Sequence, residues 1–499
     1  MTDNDGAALD ASAAGFHPPL GAAAATARLA DITPVLSELG ALFAVAGHEL
    51  ALVGGSVRDV YLGRLTADID LTTDARPNVV LPMLRSWADA VWDVGIRFGT
   101  VGARKGDLIV EITTYRAETY DPESRKPHVD YGSSLLDDLV RRDFTINAMA
   151  VRLPSMEFVD PYGGMADLAA QLIRTPSTPQ QSFDDDPLRM MRAARFAAQL
   201  GFQVAPDVVA AMKDMAGRLE IVSAERIREE LNKLLLGADP RSGLALLVET
   251  GLAEYVLPEL PGLKLEIDEW HRHKDVYEHS LTVLEQAIDL ETHHEPTSGP
   301  DLVLRLAALL HDIGKPKTRR FESDGGVSFH HHEVVGARMV TKRLTALRYP
   351  GDVVHDVSRL VELHLRFHGF GSGEWTDSAV RRYVRDAGPL LPRLHKLTRA
   401  DSTTRNQRKA QSLQRTYDAL EARIAVLAEQ EELAAIRPDL DGNQIMSLLG
   451  VGPGPVIGRA YNHLLELRLD YGPLGEERAI EALGAWWVEQ PESKAAPPV

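Results

Sequence analysis

The chain contains no cysteine, which excludes disulfides and thiolate zinc sites and leaves His, Asp and Glu as the candidate metal ligands. That composition fits a reducing cytoplasm. Apolar runs long enough to cross a membrane are missing, and no membrane partner is expected. A basic leader ahead of an apolar stretch is missing too. Residues 1–30 are Ala-rich, carry Asp3, Asp5 and Asp10, and read as a disordered tail. Positive charge is in short supply: 54 Lys and Arg face 72 Asp and Glu, a net charge of −18. This argues against a globally basic nucleic-acid coat but leaves room for local basic surface. Between Arg381 and Arg423 stand 11 basic and 4 acidic residues, a +7 island read either as a solvated helical face or as a phosphate-tracking surface.

What is present is large and apolar enough for several buried cores: 499 residues, 44% hydrophobic. Short β-rich runs (49–53, 68–72, 99–103, 108–114) alternate with helical stretches up to about residue 175, an α+β pattern. From about residue 183 the periodicity is helical almost throughout, with Glu254–Leu263 as a plausible linker around Pro258 and Pro261. The expected organisation is a disordered tail (1–30), a small mixed-sheet head (31–175), a helical neck (176–262), a His-rich helical domain (263–405), a helical C-terminal segment (406–488) and a disordered end (489–499).

The most pointed motif is Leu52-Val-Gly54-Gly55-Ser56-Val-Arg58-Asp59, an apolar strand entering a Gly-Gly turn and a helix start. Free backbone N–H groups, a positive helix end and Arg58 then surround one point, which suits a triphosphate. In Asp68-Ile-Asp70 the carboxylates share one strand face. Paired carboxylates are costly without a cation between them, and Mg²⁺ prefers such oxygen ligands, with substrate phosphates completing its shell. Glu111, alone among apolar residues in Leu108–Thr114, is a candidate third carboxylate, against the alternative of an exposed strand position. This combination reads as nucleotidyl transfer by two metals, one activating an RNA 3′-hydroxyl and one neutralising the triphosphate.

Further on, Arg141-Arg142-Asp143-Phe-Thr-Ile-Asn-Ala is read as charged residues at the start of an apolar helix, either a simple ion pair or a grip on ribose and phosphate. The turn Asp160–Asp167 might act as a hinge only in company with other motifs. In Phe183-Asp-Asp-Asp186-Pro-Leu-Arg189-Met-Met-Arg192-Ala-Ala-Arg195 the aspartates are expected as N-terminal caps. Asp186 and Arg189 are then either an i,i+3 ion pair or a base-reading pair. A carboxylate accepts from an exocyclic amine while a guanidinium donates to ring acceptors, which admits C and A and rejects U and G. Arg192 and Arg195 could complete the nucleotide contacts.

Thirteen of the 17 histidines fall between His271 and His395. His279, His311-Asp312 and Asp401 form a candidate divalent-metal set for phosphoester hydrolysis. His332-Glu333 and His364 are candidates for a second ion. Each histidine taken singly is equally a packed core residue.

In their order along residues 35–405, these motifs, with Ser223-Ala-Glu225-Arg226-Ile-Arg-Glu-Glu-Leu231, resemble the bacterial class II tRNA nucleotidyltransferase and poly(A) polymerase family. The resemblance implies a polymerase-beta-like head with Mg²⁺ on Asp68 and Asp70 and the triphosphate by Gly55 and Arg58. It also implies Asp186–Arg189 as a protein template for the base, braced by Ser223–Leu231. Asp185 departs from the family, which often has Glu there. His279, His311-Asp312 and Asp401 resemble the HD phosphohydrolase superfamily, with an unidentified metal. Phe98–Asp107 and the loop Ala117–Val129 resemble the CCA-adding members, and no long basic extension follows. The expected function is CCA addition to tRNA 3′ ends from CTP and ATP. Poly(A) or CC-only synthesis, or an HD phosphohydrolase with a nucleotide-sensing head, are the alternatives.

Overall fold

In the computed structural model the chain divides into two compact units, 1–261 and 262–499. The structure describes residues 33–64, 68–93, 95–96, 99–115, 132, 134–264, 275–323, 326–367, 375–402, 407–431, 433 and 436–494. The Asp68 side chain, the loop Ala117–Val129 and the tail 1–30 lie outside them.

The first unit begins with helix α1 (Thr33–Val45) and a seven-stranded sheet: β1 (Leu50–Val53), β2 (Asp68–Thr73), β3 (Ala90–Trp92), β4 (Thr100–Lys105), β5 (Leu108–Thr114), β6 (Ala150–Leu153) and β7 (Glu157–Val159). Their spatial order is β3-β4-β5-β2-β1-β6-β7. Only β2 and β5 run parallel; the other neighbours are antiparallel. Central β1 is buried along its whole length and takes the apolar sequence Leu-Ala-Leu-Val, as a strand covered on both faces must. Helix α1 covers one side with Leu36, Leu39 and Phe43. On the other, Ala51, Val53, Tyr115, Leu135, Leu139 and Ala150 make a core. The mixed-sheet head followed by helices is the fold class the sequence predicts.

Helices α2 (Gly55–Tyr61), α3 (Pro77–Trp87), α4 (Leu135–Val140) and α5 (Gly164–Ala169) complete the head. The neck follows as α6 (Pro179–Asp185), α7 (Leu188–Leu200), α8 (Pro206–Met215), α9 (Ala224–Leu235) and α10 (Pro240–Glu249). Helix α7 is the axis, packed by α9 and α10. Its Ala193, Ala194, Ala197 and Ala198 are buried, and such small side chains let neighbouring backbones approach. Phe196, also buried, carries the Arg58, Arg192 and Arg195 guanidinium carbons 5.1, 5.6 and 3.9 Å from its ring centre.

The second unit comprises α11 (Val276–His293), α12 (Leu302–Leu310), α13 (His332–Ala346), α14 (Gly351–Leu363), α15 (Asp377–Ala387), α16 (Leu391–Asp401) and α17 (Gln407–Gln430). Then come α18 (Gly442–Leu449), α19 (Pro455–Tyr471) and α20 (Glu476–Val488) around Leu440, Ile445, Ala460, Leu464, Ala479 and Leu483. Among the described residues no helix is long and apolar enough to cross a membrane.

Three local expectations are corrected. Arg141–Ala150 is not a helix start: α4 ends before it, Thr145–Asn147 form one 3₁₀ turn, and Ala150 opens β6. Pairing with β1 fixes this segment, overriding its helical apolar spacing. Asp184 and Asp185 close α6 instead of capping α7; of the three aspartates only Asp186 accepts from an α7 amide, that of Leu188 at 3.1 Å. The division between the two units falls within the expected linker Glu254–Leu263, whose Val256, Leu257, Leu260 and Leu263 are buried. The end expected to be disordered from residue 489 is instead structured through Lys494, where Pro491–Lys494 form a 3₁₀ turn and Glu492 pairs with Arg459 at 2.6 Å.

Five arginines of the +7 island are held in ion pairs. Arg381 meets Glu431, Arg382 meets Glu466 and Asp470, Arg393 meets Asp301, Arg399 meets Asp418 and Glu421, and Arg423 meets Asp377. Several of these acids lie outside the counted stretch, so the local excess was a property of the window. A phosphate-tracking surface on Arg381 and Arg382 has no support.

Phe196→Ala is expected to lower unfolding free energy by about 3–5 kcal/mol, the usual cost of an excavated aromatic. Denaturant titration of the chain would measure it.

Candidate functional sites in the head and the His-rich unit

β1 ends at Gly54, whose φ of 71° and ψ of −137° turn the chain into α2. A side chain there would also collide, as its Cβ would lie 2.7 Å from Arg142 Nη1 and 4.0 Å from Asp70 Oδ2. Glycine thus admits a guanidinium and a carboxylate to the same turn. Gly55 opens α2, and buried Ser56 accepts from the Asp70 amide through Oγ at 2.9 Å, tying turn to strand. In the parallel β2–β5 register Asp70 stands beside Glu111, and both are exposed. The two-residue strand period puts position 68 on the same face as position 70. The structure therefore brings together the Gly54 turn, Asp70, Glu111 and Arg142, whose Nη2 also donates to Asp138 at 3.0 Å.

Arg58 is anchored beneath this turn. Its Nε and Nη2 donate to Asp59 at 2.9 Å each, and Nη1 donates to Asn147 Oδ1 at 2.7 Å. Asn147 Nδ2 then donates to Asp143 Oδ1 at 2.9 Å, and Asp143 Oδ2 accepts from Arg192 Nε at 2.7 Å. Burial alone would raise the Asp143 pKa, but Arg192, the Asn147 amide and Arg189 outweigh it and hold the carboxyl well below its usual range. Glu230 on α9 takes Arg195 at 2.6 Å and Arg192 at 3.5 Å. Arg192 and Arg195, expected at the nucleotide, are thus built into a buried brace.

Asp186 and Arg189 do not pair with each other. Asp186 Oδ2 accepts from Arg226 at 2.8 Å, while Arg189 donates to Ser182 and to the Arg141 carbonyl. The simple i,i+3 ion pair is excluded. Asn147, Ser182 and Glu230 were not legible as site residues. Only Glu230 left a signal, a charge on the Ile227, Leu231, Leu234 core face of α9.

In the second unit, His279 lies on α11, His311 and Asp312 end α12, His332 opens α13, His364 caps α14 and Asp401 ends α16. Two sets form, His279–His311–Asp401 and Asp312–His332–His364, each with ligand atoms within 4.8 Å of one another. Asp312 spans them, with Oδ2 3.2 Å from His311 Nε2 and Oδ1 3.3 Å from His332 Nε2. The Nδ1 atoms of His311, His332 and His364 lie 2.9, 2.8 and 2.6 Å from carbonyl oxygens three residues earlier. Their Nε2 atoms are buried without hydrogen-bond partners. Buried ring nitrogens facing carboxylates without hydrogen-bond geometry, each oriented by a backbone bond on the other ring nitrogen, fit a metal centre. Burial pushes the His364 pKa down to about 4 and keeps the ring neutral. Gly314 makes the turn possible, since a Cβ there would sit 2.1 Å from the His332 carbonyl oxygen. Lys315, also unforeseen, donates to Asp312 Oδ2 at 2.6 Å. Glu333 lies 4.0 Å from His332 Nδ1 and belongs to neither set.

Three family models match: the Poly A polymerase head domain over residues 50–174, the probable RNA and SrmB-binding site of polymerase A over 201–263, and the HD domain over 276–406. An A-adding tRNA nucleotidyltransferase of Deinococcus radiodurans is 35% identical over 449 residues, spanning 88% of this chain and 96% of that protein. The chain belongs to the tRNA nucleotidyltransferase and poly(A) polymerase family, with an HD domain. A CCA-adding enzyme of Levilactobacillus brevis, another member, is 38% identical over 50% of this chain and 62% of its own length. The fold agrees with the Bacillus stearothermophilus CCA-adding enzyme in complex with CTP: TM-score 0.64, 24% identity, 94% and 99% of the two chains covered. Both component families are metal-dependent.

Asp143→Asn is expected to cost about 1–3 kcal/mol at pH 7, because it removes the charged acceptor of Arg192 and leaves it only Glu230 at 3.5 Å. Asp143 is depressed in the fold, so its contribution is complete above the unfolded value, about 3.9, and fades as pH falls below it. Denaturant titrations of both proteins at pH 7 and pH 3 should show the gap narrowing in acid; a constant gap would assign the cost to packing.

Proposed function

We propose that the chain is a tRNA nucleotidyltransferase that adds C, C and A to tRNA 3′ ends from CTP and ATP. The observation that carries this reading is the shared face of Asp70 and Glu111 at the Gly54 turn, within one unit with the Asp186 and Arg189 helix. Asp68, Asp70 and Glu111 would hold Mg²⁺, whose part is to neutralise the triphosphate and make the RNA 3′-hydroxyl more acidic. The chain supplies the remaining elements. The backbone N–H groups of the Gly54-Gly55 turn and the Arg142 guanidinium receive phosphate oxygens. Arg141 and Arg142 line the ribose and phosphate approach, while buried Asp143, expected there, stiffens the floor with Arg58, Arg192 and Arg195. Asp186 accepts from the exocyclic amine of C or A, and Arg189 donates to the ring acceptors. The 3′-oxygen attacks the α-phosphorus, its proton leaves, and the bond to pyrophosphate breaks in line.

The HD unit is proposed as a metal-dependent phosphohydrolase holding divalent ions on His279, His311, Asp312 and Asp401, with His332 and His364 completing a second position. The lack of cysteine fits work in the cytoplasm.

A second reading, addition of the terminal A alone, is favoured by the end-to-end match to an A-adding relative. Incubating the chain and Mg²⁺ with tRNA ending before CCA, or after CC, separates the two at nucleotide resolution. Two additions with CTP alone and a stop after three with both nucleotides establish CCA addition. Extension of the CC-ended tRNA only, by one A, establishes the second reading, and an open A ladder makes the chain a poly(A) polymerase. Asp70→Ala is expected to abolish incorporation while leaving phosphate-ester hydrolysis. His311→Ala with Asp312→Ala should do the reverse, and it should lower the divalent metal retained after dialysis, read by elemental analysis.

A further inference from the structure

We propose that Ser182 is a positioning residue for base selection, holding Arg189 so that one guanidinium edge is kept for the incoming base. The inference rests on the base-reading role of Arg189 given above. Ser182 lies in α6, one turn before the kink at Asp186, and is fully buried. Arg189 Nη1 donates to its hydroxyl at 2.9 Å and to its carbonyl at 3.2 Å. Arg189 Nη2 donates to the carbonyl of Arg141. Both terminal nitrogens are therefore engaged, and among the described residues no bond engages Nε.

That distribution has a chemical consequence. A guanidinium presents donors in a fixed fork, so fixing its Nη end fixes the direction of its Nε edge. A free arginine in the same place would rotate about its side-chain torsions and donate to any carbonyl, including those of U and G. Held by Ser182 and the Arg141 carbonyl, it meets ring acceptors in one orientation. Asp186 is fixed separately, by Arg226 at 2.8 Å and by the Leu188 amide. Each member of the template is thus set by its own partner before a base arrives, which lowers the ordering cost of recognition.

The second half of the clamp links selection to chemistry. The Arg141 carbonyl holds Arg189, and the next residue, Arg142, places its guanidinium at the Gly54 turn beside Asp70. Ser182 has no bond to the Gly54, Asp70 or Glu111 groups, so its effect should fall on which nucleotide enters and much less on transfer of the correct one.

The test compares Ser182→Ala, Ser182→Cys, Ser182→Thr and Arg189→Ala in single-nucleotide incorporation on truncated tRNA, with each of the four nucleoside triphosphates. Losing one such hydrogen bond is worth about 1 kcal/mol, or roughly five- to tenfold. Ser182→Ala should lower the ratio of CTP over UTP, and of ATP over GTP, by about that factor, mainly through KM. Ser182→Cys keeps the volume with a weak acceptor and should do the same, which covers the case of an unfolded alanine variant. Ser182→Thr should restore the ratio, a rescue that a role in packing alone would not produce. Unchanged ratios in Ala and Cys variants beside a collapsed ratio in Arg189→Ala would overturn the inference and leave the base-reading role intact. Unchanged ratios in Arg189→Ala would overturn the base-reading role and the inference with it.

Discussion

A carboxylate removed from water survives as an anion only where cations and donors meet it, and Asp143 is met from two directions. Asn147 and the Phe144 amide bind one oxygen, and Arg192 binds the other. Because Asn147 also holds Arg58, and Arg192 also reaches Glu230, the turn after β1, the β6 entry, α7 and α9 form one polar assembly. None of these elements can shift without stranding a charge. The proposed catalytic face on β2 and β5 and the α6–α7 junction carrying Asp186 and Arg189 are therefore held in a fixed relation inside the first unit.

The arginines illustrate how one residue type serves two purposes. Arg58, Arg192 and Arg195 surround Phe196 and spend their donors on Asp59, Asn147, Asp143 and Glu230, which makes them structural cations. Arg142 and Arg189 are the two assigned to phosphate and base in the proposed reaction. A guanidinium suits both tasks, because its planar fork keeps geometry when buried and matches phosphate or base edges when offered. The HD centre follows a related principle with imidazole. Each of three histidines is aimed by a backbone carbonyl at its Nδ1, which turns Nε2 toward the proposed metal position.

Much of the site was legible before any coordinates. The Gly-Gly turn has a conformational signature, paired aspartates at a spacing of two imply one strand face, and His-Asp after an apolar helix implies a ligand pair. Those rules are local, and Gly54, Asp70, Glu111, His311 and Asp312 obey them. What was misread had no local cause. Arg141–Ala150 has helical apolar spacing, yet its end pairs with β1. Asp186 and Arg189 sit at a spacing that favours an ion pair, yet Arg226 and Ser182 claim them.

The sequence by itself determined which residue types could do chemistry, where four of the strands and most of the long helices run, and that any metal must be held by nitrogen and oxygen. Tertiary structure alone decided which charges remain to be offered. The basic stretch from Arg381 to Arg423 is a clear case: its excess along the chain is reduced in space, where Glu431, Glu466, Asp470 and Asp301 pair with Arg381, Arg382 and Arg393. The reason is physical. Coulomb energy depends on separation in three dimensions and on the surrounding dielectric, and a linear sequence specifies neither until the chain has folded.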